Sequence, residues 1–247
     1  VTLSEDAAFR DKNVGVDKPV DIWAITLGGD DAGNYTLPAD TALADADITP
    51  RELTAGYTAA DKVYDRTTAA AVSGSSSDIV AGDLVSFTQA AAFRDANVGT
   101  DKPVDVTTIA LGGADAGNYL LLNDTATAFA DITPLALAAS LVGAVEKVYD
   151  ATTVATLTEQ NLALSGVLAG DGVALTVTGS PSYDTRDVGT GKTVTAPGVV
   201  LTGADAGNYS LPADTLAAAI GAITPATLTY VAESLTAPTG VPVASLT

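Results

Sequence analysis

Short apolar or alternating runs, separated by Gly, Asp and Asn, give this chain a β pattern along its whole length. Leu84–Phe87, Val104–Leu111, Tyr119–Leu122 and Phe129–Ile132 each read as a strand. No stretch combines a helical apolar stripe with caps. The Ala-rich segment Leu135–Leu141 has helical propensity, yet its aligned partner Leu53-Thr54-Ala55-Gly56-Tyr57 alternates and carries Gly. Both are therefore expected to be strand.

One strand changes phase. In Val104-Asp105-Val106-Thr107-Thr108-Ile109-Ala110-Leu111 the apolar positions are first even and then odd. A one-residue slip turns a strand over, so an extra residue must be absorbed near Thr107-Thr108. An aligned segment has Pro197-Gly198 at that point, residues a bulge accepts. The first copy places Trp23 against Thr107 and Pro197, which are not core types. Trp23 is expected to be at least partly exposed, either as plain surface or as a contact to a neighbour.

The pattern repeats. Gly-Gly-Asp-Asp-Ala-Gly-Asn-Tyr at 28–35 returns as GGADAGNY at 112–119 and TGADAGNY at 202–209. Tyr35 and Tyr119 are 84 residues apart, Tyr119 and Tyr209 90. Phe9-Arg10-Asp11 returns in register as Phe93-Arg94-Asp95 and is matched by Tyr183-Asp184-Thr185, while Val14-Gly15 with Lys18 and Ile48-Thr49-Pro50 recur in both later copies. Lys62-Val63-Tyr64-Asp65 recurs as Lys147-Val148-Tyr149-Asp150. A fixed period of this length denotes an array of small domains. Boundaries at Ile-Thr-Pro give complete modules at 51–134 and 135–225. Residues 1–50 align with the last part of a module, and 226–247 with the first part of one. The expected fold is all-β: a tandem array of immunoglobulin-like β-sandwich modules of about 85–90 residues, each with six or seven short strands. Pro-stiffened joints imply a semi-rigid string.

Composition narrows the chemistry. Net charge is -19, from 30 acidic and 11 basic residues. That surface repels phosphate backbones and anionic membranes, so neither nucleic acid nor membrane insertion is expected. No run of eighteen apolar residues occurs. His, Cys and Met are absent, which removes disulfides, thiolate sites and the His-based triads. Lys192 follows Gly191, but the wider spacing is not that of a phosphate loop. No acid pair stands out by spacing. The chain is expected not to be an enzyme and to need no cofactor.

The repeated motifs read first as turns. Gly33-Asn34-Tyr35, Gly117-Asn118-Tyr119 and Gly207-Asn208-Tyr209 would turn the chain, the preceding Asp bonding nearby amides and the Tyr packing inward. The chemical alternative is calcium bound by Asp31, Asp115 and Asp205, although one Asp and one Asn per loop fall short of six to eight oxygens. Lys62 and Lys147 are expected to form solvated pairs with Asp65 and Asp150. A Lys–Asn isopeptide cross-link is the less ordinary reading.

In order and spacing these motifs resemble the YDG and MBG repeats of large bacterial surface and secreted adhesins, of the filamentous-haemagglutinin-like, two-partner-secreted kind. The matching residues are Lys62 to Asp65 with Thr67 and Thr68, Ala81 to Asp83, Phe93 to Lys102, Leu111 to Tyr119 and Ile132 to Pro134. Lys147 to Asp150, Ala169 to Asp171 and Leu201 to Tyr209 match again. Arg66 and Ala151 stand where the motif has its Gly, so a left-handed turn there is in question. Residues 226–247 are closer to the MBG subtype.

The resemblance implies a stalk or binding array at the bacterial cell surface or outside the cell. Its expected partners are neighbouring repeats, extracellular polysaccharide, a host or cell surface, and other copies of itself. Two readings follow. One is a non-enzymatic structural segment of an adhesin, with 1–50 and 226–247 as fragments of a longer array. The other is a self-assembling filament in which residues 226–247 of one copy complete the open sheet of 1–50 in the next.

Overall fold

The computed structural model describes residues 1–231 and Thr239. Among the described residues the regular structure is all β with short 3-10 turns, and no α-helix occurs. The chain divides into two compact units, Val1–Leu135 and Ala136–Thr247. The divide lies beside Pro134, and residues 1–50 belong to the same unit as 51–134.

In the first unit, β1 (Thr2–Phe9), β2 (Gly15–Gly28) and β3 (Ala42–Ile48) form an antiparallel sheet in that order. Eight strands follow: β4 (Arg51–Leu53), β5 (Gly56–Ala59), β6 (Lys62–Val63), β7 (Val72–Ser75), β8 (Ser86–Phe93), β9 (Gly99–Gly112), β10 (Tyr119–Leu121) and β11 (Ala126–Thr133). The β8-β9-β11 meander repeats β1-β2-β3. It gains β6, which lies parallel on the outer edge of β11, with Lys62 opposite Ile132 and Val63 opposite Thr133. β4 runs parallel to β10, and β5 pairs with β7. Leu53, Ala55, Val106, Ile109 and Tyr119 form a core closed by Tyr57, Phe87 and Leu111. Tyr57 meets Phe87 edge-on with centroids 6.2 Å apart.

The second unit follows the same plan. Its strands are β12 (Leu135–Ala136, spanning the divide), β13 (Ala138–Leu141), β14 (Val145–Val148), β15 (Leu162–Ser165) and β16 (Ala174–Val177). Then come β17 (Ser182–Tyr183), β18 (Gly189–Pro197), β19 (Val199–Thr202), β20 (Tyr209–Ser210) and β21 (Thr215–Thr224). The main sheet runs β14-β21-β18-β17, with β14 parallel to β21 over four residue pairs. β13–β15 and β16–β19 are antiparallel pairs. Leu141, Val145, Tyr183, Val194, Val199 and Ile223 fill the core. The strands expected over Leu135–Leu141 are present as β12 and β13.

The phase change has the expected cause. Thr108 takes φ 54°, and the β8–β9 register slips between Thr88 and Ala90. Ala24 (φ 55°) does the same in β2, with a slip between Ser4 and Asp6. Gly198 (φ 69°) breaks the third copy into β18 and β19. Val104, Val106 and Ile109 thereby all face inward.

Two expectations change. Arg66 and Ala151 both adopt φ 65°, so the left-handed turn persists without Gly. Tyr35 does not pack inward as Tyr119 and Tyr209 do: it is 62 % exposed, and no strand begins at it as β10 and β20 begin at those two. The reason is coverage. In 51–134 that face is covered by β4 and β5, and residues 1–50 contain no counterpart of these strands. Most of 226–247 lies outside the described residues. Residues 226–231 carry no strand, and Leu228 is 95 % exposed where the aligned Leu53 and Leu137 are buried.

Candidate functional site

The repeated Asp-Ala-Gly-Asn-Tyr closes as a 3-10 turn in all three copies, at Ala32–Asn34, Ala116–Asn118 and Ala206–Asn208. The Asp does not cap its own turn, contrary to expectation; in the two later copies it reaches the loop before the preceding β-hairpin. Asp115 Oδ2 accepts from the Leu84 amide (2.7 Å) and Asp205 Oδ2 from the Gly172 amide (2.8 Å). The backbones also touch. A Cβ at Gly113 (φ 99°) would lie 2.3 Å from Leu84 O, and one at Gly203 2.2 Å from Gly172 O. Only Gly permits that approach.

The Tyr of the turn meets the Asp of Ala-Gly-Asp. Tyr119 hydroxyl accepts from the Val80 amide (2.9 Å) and donates to Asp83 Oδ2 (2.7 Å). Tyr209 hydroxyl accepts from the Leu168 amide (3.1 Å) and donates to Asp171 Oδ2 (2.5 Å). Burial first, then Asp83, pushes the Tyr119 phenol above its ordinary value. Recurrence of both motifs in each complete module was the available signal for this pairing.

Lys12 links residues 1–50 to this cluster. Its ammonium bonds Asp83 Oδ1 at 2.5 Å and Asp115 Oδ1 at 2.7 Å. Beside it the Val14 amide donates to Asn118 Oδ1 (2.9 Å), and Asn118 Nδ2 to Asn13 Oδ1 (3.3 Å). Ile48, Thr49, Arg51 and Val80 complete a shallow hollow around the joint. Lys12, then hydrogen bonds from Tyr119 and the Leu84 amide respectively, holds the Asp83 and Asp115 carboxyls below the usual range. The carboxylates in turn raise Lys12, Asp115 contributing most. The joint was not foreseen, because Lys12 has Ala96 as its counterpart and so is not part of the repeat.

The three calcium candidates are not brought together. Asp31, Asp115 and Asp205 occupy separate turns, and both Asp115 oxygens already accept bonds. No group of three or more acidic side chains suited to a metal occurs among the described residues.

Lys62 and Lys147 are more buried than a solvated pair would be. Lys62 Nζ bonds Thr67 O (2.9 Å), Thr67 Oγ1 (3.0 Å), Ala69 O (3.1 Å) and Asp65 Oδ1 (2.7 Å), and lies 5.8 Å from the Phe93 ring centroid. Lys147 bonds Asp150, Thr152 O and Thr152 Oγ1, with Tyr183 5.5 Å away. Lys147 first, then the Thr152 amide and hydroxyl, pulls Asp150 down to about 2. The ammonium thus ties the Tyr-Asp-x-Thr loop to an aromatic ring on the neighbouring hairpin, with carbonyl, hydroxyl and carboxylate oxygens as its partners.

A second lysine locks the long hairpin. Asp95 Oδ1 accepts from Lys102 Nζ (2.7 Å) and the Asn97 amide (2.9 Å). Asp11 does likewise with Lys18 and Asn13.

A model of the YDG domain matches residues 1–42, 49–128 and 133–217. The chain belongs to the YDG domain family. No curated protein and no solved structure matches it. In this YDG chain the motif residues hold loops to sheets: Lys62 and Asp65 one loop, Asp83 and Tyr119 another.

Trp23 is 42 % exposed at the bulge of β2, as expected. Asp21, Thr41 and Leu43 border the same open depression, and Asp21 forms a two-pronged pair with Arg10. Leu43 is also exposed. The complete second copy has Thr107 and Thr127 in place of Trp23 and Leu43.

Proposed function

We propose that this YDG chain is a non-enzymatic structural segment of a bacterial extracellular adhesin, built as tandem immunoglobulin-like β-sandwich modules. Its role is to hold a binding site away from the cell and to mediate cell-surface or matrix attachment. The observation that carries the reading is the recurrence of one loop-fastening plan, in which the side chains that recur from module to module bind other parts of their own module. The joint built from Lys12, Asn13, Val14 and Asn118 supports a semi-rigid connection between residues 1–50 and the module 51–134. Contact with extracellular polysaccharide is assigned to Trp23 and its neighbours, where an aromatic face stands beside a carboxylate and a hydroxyl.

Display of the chain on a non-adherent bacterium tests this. Cells should attach to surfaces coated with neutral polysaccharide, and Trp23→Ala should reduce attachment without lowering the melting temperature. Equal attachment by displaying and bare cells would remove the reading. Trp23 is the chain's only Trp, so its fluorescence reports contact directly.

A second reading, a filament subunit joined by head-to-tail strand donation, is favoured by one pair of exposures. Tyr35 and Leu228 are both uncovered, while their counterparts Tyr119 and Leu53 are buried in one core. Head-to-tail addition does not close, so it builds fibres. Negative-stain images separate the readings: short particles of fixed length support the adhesin segment, and long fibres the filament.

A further inference from the structure

On the outer faces of the first unit's two meanders one arrangement occurs twice. In the complete copy Arg94 holds Asp105 by two prongs, Nη2 to Oδ1 at 2.9 Å and Nε to Oδ2 at 3.0 Å. Val104 and Val106 point into the core, so Asp105 between them points out. Phe129 stands on the same face. It lies opposite Pro103 in the β9–β11 ladder, between the buried Ala128 and Ala130, and is 61 % exposed. In residues 1–48 Arg10 holds Asp21 with the same geometry, at 2.8 and 3.0 Å, and the exposed ring is Trp23. The two rings are not counterparts: Asp45 aligns with Phe129, and Thr107 with Trp23. Thr107 is exposed in the complete copy, so the exposure of Trp23 owes nothing to strands that residues 1–50 lack. The third copy has Asp184 and Thr195 in place of the Arg and the Asp, and its β17, β18 and β21 carry no exposed ring. Ring and pair are thus present together or absent together.

We propose that Phe129, Pro103, Arg94 and Asp105 form a second contact for neutral polysaccharide, alongside the one at Trp23. The inference rests on the polysaccharide reading above and adds to it a site in the complete module. The face of an aromatic ring is electron-rich and attracts the polarised C–H bonds on the flat side of a pyranose. The Pro103 ring, directly across the ladder, widens that platform. Asp105 accepts from sugar hydroxyls. Arg94 Nη1, which bonds nothing else among the described residues, donates to them. Charge selects the neutral class. The guanidinium is already neutralised by its Asp, and the chain's net charge of -19 repels uronate or sulfated polymers.

The test is affinity electrophoresis of the full chain in native gels containing hydroxyethylcellulose, laminarin or dextran, with alginate as the acidic control. At least one of the three neutral polymers should retard the chain, and alginate should not. Phe129→Ser should weaken that retardation about tenfold, and Phe129→Tyr should keep it. Neither should change the melting temperature, since the ring is exposed. A chain carrying both Trp23→Phe and Phe129→Trp has its one indole at the new site, and its emission should shift saturably with the retarding polymer. Retardation that is lost with Trp23→Ala and untouched by Phe129→Ser keeps the polysaccharide reading and overturns this inference. Retardation by alginate as strong as by the neutral polymers overturns it as well. No retardation in any gel overturns both.

Discussion

Phe93 and Phe9 end the same strand of the same hairpin, 84 residues apart, yet one is 2 % exposed and the other 37 %. Their local sequences are nearly identical: Ala-Ala-Phe-Arg-Asp precedes Val-Gly in both. So are the local bonds, since Arg10 pairs with Asp21 as Arg94 does with Asp105. The difference lies in what covers the sheet. The hairpin, its bulge and its lysine lock form from local residues, whereas burial requires strands supplied from elsewhere. A three-stranded meander can thus have its final shape and lack its core.

The largest test of this contrast is a truncation repeated at three aligned leucines. Leu53→Ala and Leu137→Ala each remove a buried side chain and should each cost about 2–5 kcal/mol in urea unfolding. Leu228→Ala should change stability by less than about 0.5 kcal/mol, because Leu228 is almost fully exposed. Equal losses at all three would end the comparison.

A smaller difference is expected at the turn tyrosines. Tyr119→Phe strips the Val80 amide of its acceptor and Asp83 of a donor, costing about 1–3 kcal/mol. Tyr35→Phe should be silent in the same melting experiment.

Next come the left-handed residues. Arg66→Gly and Ala151→Gly relieve a side chain at φ 65° and should each stabilise by about 1 kcal/mol. The opposite change, Gly113→Ala, should destabilise, since its Cβ meets Leu84 O.

The weakest effect belongs to the joint. Asp83 and Asp115 are depressed by Lys12, so their contribution is complete above the ordinary carboxylate range and fades as pH falls through their lowered values. Lys12 is raised, so its contribution is complete below the ordinary lysine value and fades only as pH climbs through the raised one. Lys12→Met should flatten the acid limb of the first unit's pH–melting curve, an effect that added salt also reduces. An unchanged acid limb would show that the pair is idle.

Much of the architecture was legible from single residues. The shifted apolar phase around Thr107 marked the bulge, and Gly56 within an alternating stretch spoke against a helix. Ile-Thr-Pro lay beside the boundary between the two units. Pairing partners were not legible, because the alternation in Lys62-Val63 says which side faces in but not that the neighbour is β11. The burial of Lys62 was hidden for a related reason. Its ring partner, Phe93, lies 31 residues away along the chain. The exposure of Tyr35 needed knowledge of missing strands, and the hold of Asp115 on Leu84 that of a long-range loop contact.

The parallel pairing of β14 with β21 has a mechanical consequence. The chain enters that pair at Val145 and leaves it at Thr224, which lie at opposite ends of a four-residue ladder. Traction on the two termini would load all the rungs together in shear instead of peeling them one by one. The equivalent ladder between β6 and β11 has two rungs. Under a steady pull this seam should yield first.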